Sequence, residues 1–328
     1  QPPPDGGRVD PALPPGTMVI FIGDAFDKPV PNAEVDLLIT RDSVTEGKSS
    51  DMKRGVTNEA GELRFDGLPY GSGYAYAVRS KRGPASFEVG PMGMTDRGGV
   101  RAFLHVFEST ADINEAMVVG RTTVEITFKE DVLVVNCTIN YFNRSPLAWI
   151  TEQEIVLPTG FKALTVPDGM TPSLVPTERG MLMKGTLPPG DVNMGFRYHV
   201  PLEKDGDQSL PIPFLPNMAQ AMIGMEASKK MKLSASGFAE AQRIQDQAGR
   251  TWLVTQRQVT RDDRALLASP TITITGIPTR SYGGWIAVAL ALLAAGSAAW
   301  YVISRRENAT LPEDTARDLM EAKQALLV

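Results

Sequence analysis

Apolar and polar residues alternate with a period of two in several short stretches near the start of the chain, which is the pattern of β-strands with one buried face. Turn-forming residues such as Asp27, Lys28 and Pro29 interrupt the pattern. Strands are therefore predicted over residues 33–40 (AEVDLLIT), 61–68 (GELRFDGL) and 74–80 (YAYAVRS), and the short apolar run at residues 18–23 (MVIFIG) predicts another. Short strands at a spacing of about ten residues indicate a β-sandwich.

The same alternation continues and predicts a second β domain over residues 119–280. The single cysteine, Cys137, lies on the apolar side of the stretch DVLVVNCTINYF and is expected to be a small buried residue. A lone cysteine cannot form an internal disulfide, so it neither supports nor excludes an oxidising compartment. The last strand of this domain is predicted over residues 271–278 (TITITGIP).

The segment before the first strand has a different composition. Residues 1–16 are rich in proline and lack apolar periodicity, so they are predicted to form an extended leader and not a strand. The first sandwich is then expected to cover residues 17–118. A chain of 328 residues is longer than one hydrophobic core usually supports, which agrees with more than one domain.

An uncharged apolar stretch from residue 285 to 303 predicts a transmembrane helix over residues 284–303. As a helix it is about 28 Å long, close to the hydrocarbon thickness of a bilayer. A buried core helix is the alternative, although such a helix normally has a polar face. Anchoring is expected from the interfacial aromatic residues Trp285, Trp300 and Tyr301 and from the basic residues Arg305 and Arg306.

These basic residues also predict an orientation, because cationic flanks tend to stay in the cytoplasm. The expected location is the cell membrane in a single pass, with the N-terminal domains extracytoplasmic (periplasmic) and the C-terminus cytoplasmic. Residues 304–328 are predicted to form a short cytoplasmic amphipathic helix. Its apolar face is expected to contact a partner subunit through Leu319, Met320, Leu326 and Leu327.

The first predicted sandwich resembles a known family. It carries three spaced motifs. The first, at the second strand, is formed by Pro29, Val30, Ala33 and Val35, and the second, at the hairpin turn, by Thr57, Asn58, Gly61 and Phe65. The third, at the next turn, is formed by Leu68, Pro69, Gly71 and Tyr74. Over residues 17–90 this pattern resembles the carboxypeptidase regulatory-like family, and the resemblance implies a transthyretin-like sandwich. It implies little about function, because this fold has adhesion, binding and spacer roles.

Charge and motif content reduce the possible functions. The chain carries 33 basic and 38 acidic residues, a net charge of −5, which does not suggest a nucleic-acid surface. The two histidines, His105 and His199, lie outside any predicted helix that would place a second metal ligand on the same face. The zinc-peptidase motif His-Glu-x-x-His, the full phosphate-loop motif and the serine-hydrolase motif Gly-x-Ser-x-Gly are absent from the sequence. No catalytic, cofactor or metal site is therefore predicted, and the protein is not expected to be an enzyme.

The methionines suggest one exception. Three close pairs occur, Met92 with Met94, Met181 with Met183, and Met222 with Met225. Thioethers are soft ligands that select Cu(I), but methionine also fills cores and contact surfaces. Packing is the preferred interpretation, because no histidine or cysteine accompanies the pairs.

Together these features predict a mainly β protein: two β-sandwich domains, a single C-terminal transmembrane helix and a short cytoplasmic helix. The expected function is that of a non-catalytic, membrane-anchored envelope protein, a structural or accessory subunit that makes protein–protein interactions with other subunits of a membrane complex. No nucleic acid and no small-molecule substrate is expected. The alternative is an extracytoplasmic ligand-binding module for carbohydrate or copper.

Overall fold

A computed structural model describes residues 4–43, 47–129, 131–167, 169–203, 207–260, 269–278 and 283–307, together with residues 317 and 323. Two compact units divide the chain, Gln1–Ile277 and Pro278–Val328. Within the first unit, the described residues form β-strands that surround two apolar cores.

Eight of the described strands build the first sandwich. In chain order they are β1 (Gly6–Asp10), β2 (Met18–Gly23), β3 (Glu34–Ser43), β4 (Gly47–Val56), β5 (Glu62–Phe65), β6 (Tyr74–Arg82), β7 (Ala85–Met92) and β8 (Gly99–His105). One sheet has the order β1-β8-β2-β5 and the other β4-β3-β6-β7. Their facing side chains bury a common core that includes Met18, Ile20, Ile22, Val35, Leu37, Ile39, Tyr76, Val78, Phe87, Val100 and Leu104.

The four strands predicted in this part are confirmed as β2, β3, β5 and β6. Their apolar positions point into the core at every second residue, and each buried aliphatic side chain contributes about 1.5–3 kcal/mol. The prediction of an extended leader without a strand is wrong for Gly6–Asp10. This segment forms β1, which pairs antiparallel with β8, and Arg101 of β8 binds Asp10 with an Nε–Oδ2 distance of 2.7 Å.

The second β region follows. Its strands are β9 (Ser109–Thr110), β10 (Val118–Lys129), β11 (Val132–Asn143), β12 (Ala148–Val156), β13 (Lys162–Thr165), β14 (Ser173–Thr177), β15 (Gly180–Leu187), β16 (Gly190–Pro201), β17 (Gln208–Pro211), β18 (Met218–Glu226), β19 (Lys232–Ala235), β20 (Gln242–Gln245), β21 (Thr251–Gln258) and β22 (Thr271–Thr275). They form a seven-stranded sheet (β13-β16-β11-β10-β18-β21-β20), a four-stranded sheet (β14-β15-β12-β9) and a three-stranded sheet (β17-β22-β19).

The three sheets share the second core. Its buried members come from all of them and include Val124, Ile126, Leu133, Cys137, Ile139, Tyr141, Trp149, Met181, Met183, Phe196, Tyr198, Leu210 and Ile272. The two β regions are in contact, since the Ser86 amide donates a hydrogen bond to Thr186 Oγ1 at 3.1 Å and Ala148 packs into the first core. The predicted boundary between residues 118 and 119 stays a prediction.

The prediction of a C-terminal transmembrane helix is wrong. Helix α1 spans Gly283–Glu307, and its described side chains run from Val288 to Tyr301. Among the described residues, none of the helices is both long enough and apolar enough to cross a membrane. The fold prediction was therefore right that the chain is mainly β and wrong in its C-terminal membrane span.

The single-pass location in the cell membrane, with a periplasmic N-terminal part and a cytoplasmic C-terminus, was derived from that span and is wrong with it. Trp300 and Tyr301, assigned to membrane anchoring, are exposed on α1. The side chains of Trp285, Arg305 and Arg306 lie outside the described residues. The four expected partner contacts also lie outside them, namely Leu319, Met320, Leu326 and Leu327.

Candidate functional site

The outer face of the seven-stranded sheet carries an unusual set of side chains. Successive residues of a strand point to opposite faces, so the positions that alternate with the buried core residues form this outer surface. On the four adjacent strands β11, β10, β18 and β21 they include a group of amides and hydroxyls, beside apolar residues and the charged Arg121, Glu125 and Glu226. We call this surface the amide face and define it by Thr123, Thr127, Asn136, Thr138, Asn140, Gln220, Met222, Gln256 and Gln258.

Strand register aligns these residues into rows across the sheet. In the central row, Thr138 of β11 lies opposite Thr123 of β10, which pairs with Met222 of β18, and Met222 pairs with Gln256 of β21. On the other side of Thr138 the row continues to Gly195 of β16. The central row therefore crosses five strands without a charged residue.

The charged residues of the neighbouring rows are partly engaged by other groups. The Arg121 guanidinium lies 5.1 Å from the centre of the Phe142 ring, a cation–π contact. The Nε–H of Arg197 donates a hydrogen bond to Oδ1 of Asn136. Glu125 lies opposite Asn136 on β11 and Gly224 on β18. Charge is thus kept beside the central row and not on it.

This arrangement has clear binding chemistry. Amide and hydroxyl groups both donate and accept hydrogen bonds, and burying them costs far less free energy than burying a charge. Thr138 and Gln256 are exposed, and Met222 is 36% exposed at the centre of the face. The cores of protein interfaces are depleted in charge and enriched in methionine. The amide face can therefore accept a flat, polar and weakly charged surface.

The second polar cluster surrounds His105 at the end of β8. Its Nδ1 lies 2.6 Å from Oδ1 of Asp5, and its Nε2 lies 2.9 Å from Oδ1 of Asp27. The same Asp5 oxygen accepts the main-chain N–H of His105 at 2.9 Å. Asp5 first, and then Asp27, raise the pKa of His105 to about 9, against the opposing effect of burial. The imidazolium thus links the segment before β1 and the turn after β2 to the first sandwich.

The His105 cluster is not arranged as a metal site, because the two carboxylates contact opposite nitrogens of the ring. Among the described residues, no group of three or more His, Cys, Asp or Glu side chains is placed to hold a metal ion. His199 lies on the outer side of β16, opposite Val134 of β11. Cys137 is buried, and this burial raises the pKa of its thiol far above the usual range. A buried neutral thiol is a poor nucleophile and a poor ligand.

The structure also locates the methionine pairs. Met92 and Met94 are buried in the first core, and Met181, Met183 and Met225 in the second. Packing accounts for these five residues. Met222 is the member of its pair that points outward, at the centre of the amide face.

Sequence reasoning did not identify the amide face, although a signal was present. Asn136, Thr138 and Asn140 occupy alternate positions of a stretch whose other positions are apolar. A strand whose exposed positions avoid charge is a sign of an outer face that is not only solvated. The neighbours of these residues come from distant parts of the chain, so the extent of the face depends on the sheet order β11-β10-β18-β21.

Comparisons with known proteins give no family. No family model matches the chain, and no curated protein matches it. Among solved structures it is similar to an M1 zinc metallopeptidase from Deinococcus radiodurans, with 16% identity over 48% of this chain and 42% of that chain and a TM-score of 0.28. A putative protease from Parabacteroides distasonis has 9% identity over 48% of this chain and 40% of that chain, with a TM-score of 0.29.

The full-length major pilin SpaD from Corynebacterium diphtheriae is similar over more of the length, 81% of this chain and 82% of that chain, with 12% identity and a TM-score of 0.23. The chain spans less than half of the metallopeptidase it matches. At these scores the likenesses carry no argument about function.

Proposed function

We propose that this protein is a non-catalytic, structural or accessory component of a protein complex, and that it docks a partner protein on the amide face. The observation that carries the proposal is the central row of Thr138, Thr123, Met222 and Gln256, which crosses adjacent strands without a charge. A partner with a flat and weakly charged surface could cover this row without burying an unpaired ion.

Three described carboxyl groups with lowered pKa values take part in structural pairs, which supports a non-catalytic role. Asp10 and Asp66 are paired with Arg101 and Arg64, which lower the pKa of each carboxyl. Asp246 accepts hydrogen bonds from the Arg250 main chain and side chain, which lower its pKa against the effect of burial. Each of these groups stabilises a turn or a strand pair, and none faces a concave site with a second catalytic candidate.

The first sandwich fits the same proposal as a scaffold. Its motifs resemble the carboxypeptidase regulatory-like family over residues 17–90, and each motif residue has a structural task. Thr57, for example, donates its hydroxyl hydrogen to the Val30 carbonyl at 2.7 Å and accepts the Ala33 amide at 2.9 Å. Gly61 has a φ of +71° in the hairpin turn. We assign this module to positioning and not to chemistry.

The test places a charge on the amide face. Thr138→Arg introduces a cation at an exposed position of the central row, and Thr177→Arg introduces it at an exposed position of β14 in another sheet. Tagged full-length protein and both variants are recovered from the native cells, and co-purifying proteins are quantified by mass spectrometry. Thr138→Arg should reduce a specific set of partners at least about tenfold, because burying an unpaired charge opposes docking. Equal recovery with both variants would remove the amide face from the proposal.

A carbohydrate ligand is the second candidate, and two observations favour it. Amides and hydroxyls are the groups that hydrogen-bond sugars, and Trp252 lies on β21 opposite Glu226 of β18 at one end of the same outer surface. The Trp252 indole is packed under the Arg250 guanidinium at 5.6 Å and donates to Asp246 at 3.2 Å. A saccharide stacking on Trp252 would displace Arg250 and change the tryptophan fluorescence. Titration with an oligosaccharide library that leaves this fluorescence unchanged would favour the protein partner.

A further inference from the structure

Strand β4 forms one edge of its sheet and is open on one side. Among the strands that the structure describes, it pairs with β3 alone. Eight of its ten residues are exposed and two are half-buried. An edge strand of this length presents a row of main-chain donors and acceptors that another strand can use.

The direction of these groups follows from the pairing with β3. The Thr57 amide donates to the Ala33 carbonyl at 3.1 Å, just beyond the Glu34–Val56 pair that ends the ladder. Hydrogen-bonded pairs alternate in an antiparallel ladder, so the odd-numbered residues of β4 bond to β3. The main-chain groups that point outward therefore belong to Lys48, Ser50, Met52, Arg54 and Val56.

An independent contact agrees with this assignment. The Met52 amide donates to Oδ1 of Asp51, its own neighbour, at 2.8 Å. A hydrogen bond of this kind uses a donor that lies outside the β3 ladder. Met52 is 46% exposed, and it stands near the middle of the strand.

We propose that β4 pairs antiparallel with β4 of a second copy of this chain, with Met52 opposite Met52 on the two-fold axis. In this register the hydrogen-bonded pairs across the axis are Met52 with Met52, Ser50 with Arg54, and Lys48 with Val56. All of them are residues whose main-chain groups point outward. Each β4 is then covered over residues 48–56, and the four-stranded sheet continues into that of the second copy.

Charge selects this register over its neighbours. It places Asp51 opposite Lys53 twice, once on each side of the axis. A shift by one step in one direction places Asp51 opposite Asp51, and a shift in the other places Lys53 opposite Lys53. Directly opposed unlike charges stabilise a strand pair and like charges destabilise it. The strand is thus complementary to itself, which is the reason to choose a second copy over an unrelated peptide.

Charge reversal tests the pairing. The full-length protein is measured by sedimentation equilibrium from 1 to 200 µM (roughly the range that separates weak from stable dimers). Asp51→Lys and Lys53→Asp each replace two attractive contacts by two repulsive ones and should weaken the dimer at least about tenfold. The double variant restores both contacts with the signs exchanged, and its dissociation constant should return to within about threefold of the unchanged protein.

Three results would overturn the inference: a monomer throughout the concentration range, single variants that dimerise as well as the unchanged protein, or a double variant as weak as the single ones. Far-UV circular dichroism verifies that each variant is folded, which matters most for Lys53→Asp because Lys53 is half-buried while Asp51 is exposed. The inference does not depend on the amide face, which lies on another sheet. Thr138→Arg should leave the dimer unchanged, so a failure of the dimer and a failure of the docking proposal are distinguishable.

Discussion

Raising the pH from 6.5 to 9 should destabilise the folded protein through His105. Its pKa is about 9 in the folded chain, because Asp5 and Asp27 hydrogen-bond both ring nitrogens, whereas an unfolded histidine titrates near 6.5. A raised pKa means that the folded state holds the proton more tightly. The stabilisation is therefore complete below about pH 6.5 and is lost as the pH rises through about 9.

The magnitude follows from the pKa difference. Each pKa unit is worth about 1.4 kcal/mol, so the cluster contributes up to about 3 kcal/mol at pH 6. The His105 side chain is 13% exposed, while Asp5 and Asp27 are 40% and 42% exposed, so solvent screening reduces the value. Between pH 7 and 8.5 the free energy of unfolding should fall by about 1.4 kcal/mol per pH unit at most.

Two measurements check this result. The chain has two histidines, so NMR can follow the ring protons of His105 and His199 separately during a pH titration. Urea denaturation at several pH values gives the stability, and the slope should disappear in His105→Gln. Asp5→Asn should lower the His105 pKa more than Asp27→Asn, because the Asp5 hydrogen bond is the largest cause of the shift. A His105 ring that titrates below pH 7 in the folded protein would refute the reasoning.

Three further outcomes are expected. Tyr141→Phe should lower the free energy of unfolding by about 1–2 kcal/mol, because the Tyr141 hydroxyl donates to a main-chain carbonyl at 2.9 Å. Tyr198→Phe should change it by less than about 0.5 kcal/mol, because the buried Tyr198 hydroxyl has no hydrogen-bond partner among the described residues. Gly61→Ala should destabilise the protein by at least about 2 kcal/mol, and Gly67→Ala by about 1 kcal/mol. Both glycines have a positive φ, but only at Gly61 would an added Cβ lie 2.8 Å from a carbonyl oxygen. Cys137 should react with a thiol reagent only after unfolding, and fast reaction in native buffer would contradict its burial.

The strands that the sequence predicts are those that carry apolar alternation. Residues 33–40 have this pattern and form most of β3, whose buried Val35, Leu37 and Ile39 determine the strand locally. Strand β4 has almost no buried side chain, so GKSSDMKRGV carries no such signal and was not predicted. Strand β1 follows a proline-rich start and forms because it pairs with the edge of β8. Since β8 lies far away in the sequence, the local pattern could not predict β1.

The candidate sites depend even more on distant contacts. His105 meets Asp5 and Asp27, which are 100 and 78 positions away, so no rule based on local spacing could find the cluster. In the amide face, Thr123 lies opposite Thr138 through a hairpin, but it pairs with Met222 only because β10 and β18 run parallel after a long crossover. Alternation predicts which residues point outward, while strand order decides which of them become neighbours.

Photo-crosslinking from the amide face tests the central claim most directly. A benzophenone amino acid replaces Thr138 in the full-length protein within its native cells, and a matched protein carries it at Thr177 on β14. Illumination should give a discrete crosslinked protein from position 138 and not from position 177. Met222→Arg should abolish that product, because the charge would lie in the same central row. Equal crosslinking from both positions, or a product at 138 that persists with Met222→Arg, would contradict docking on this face.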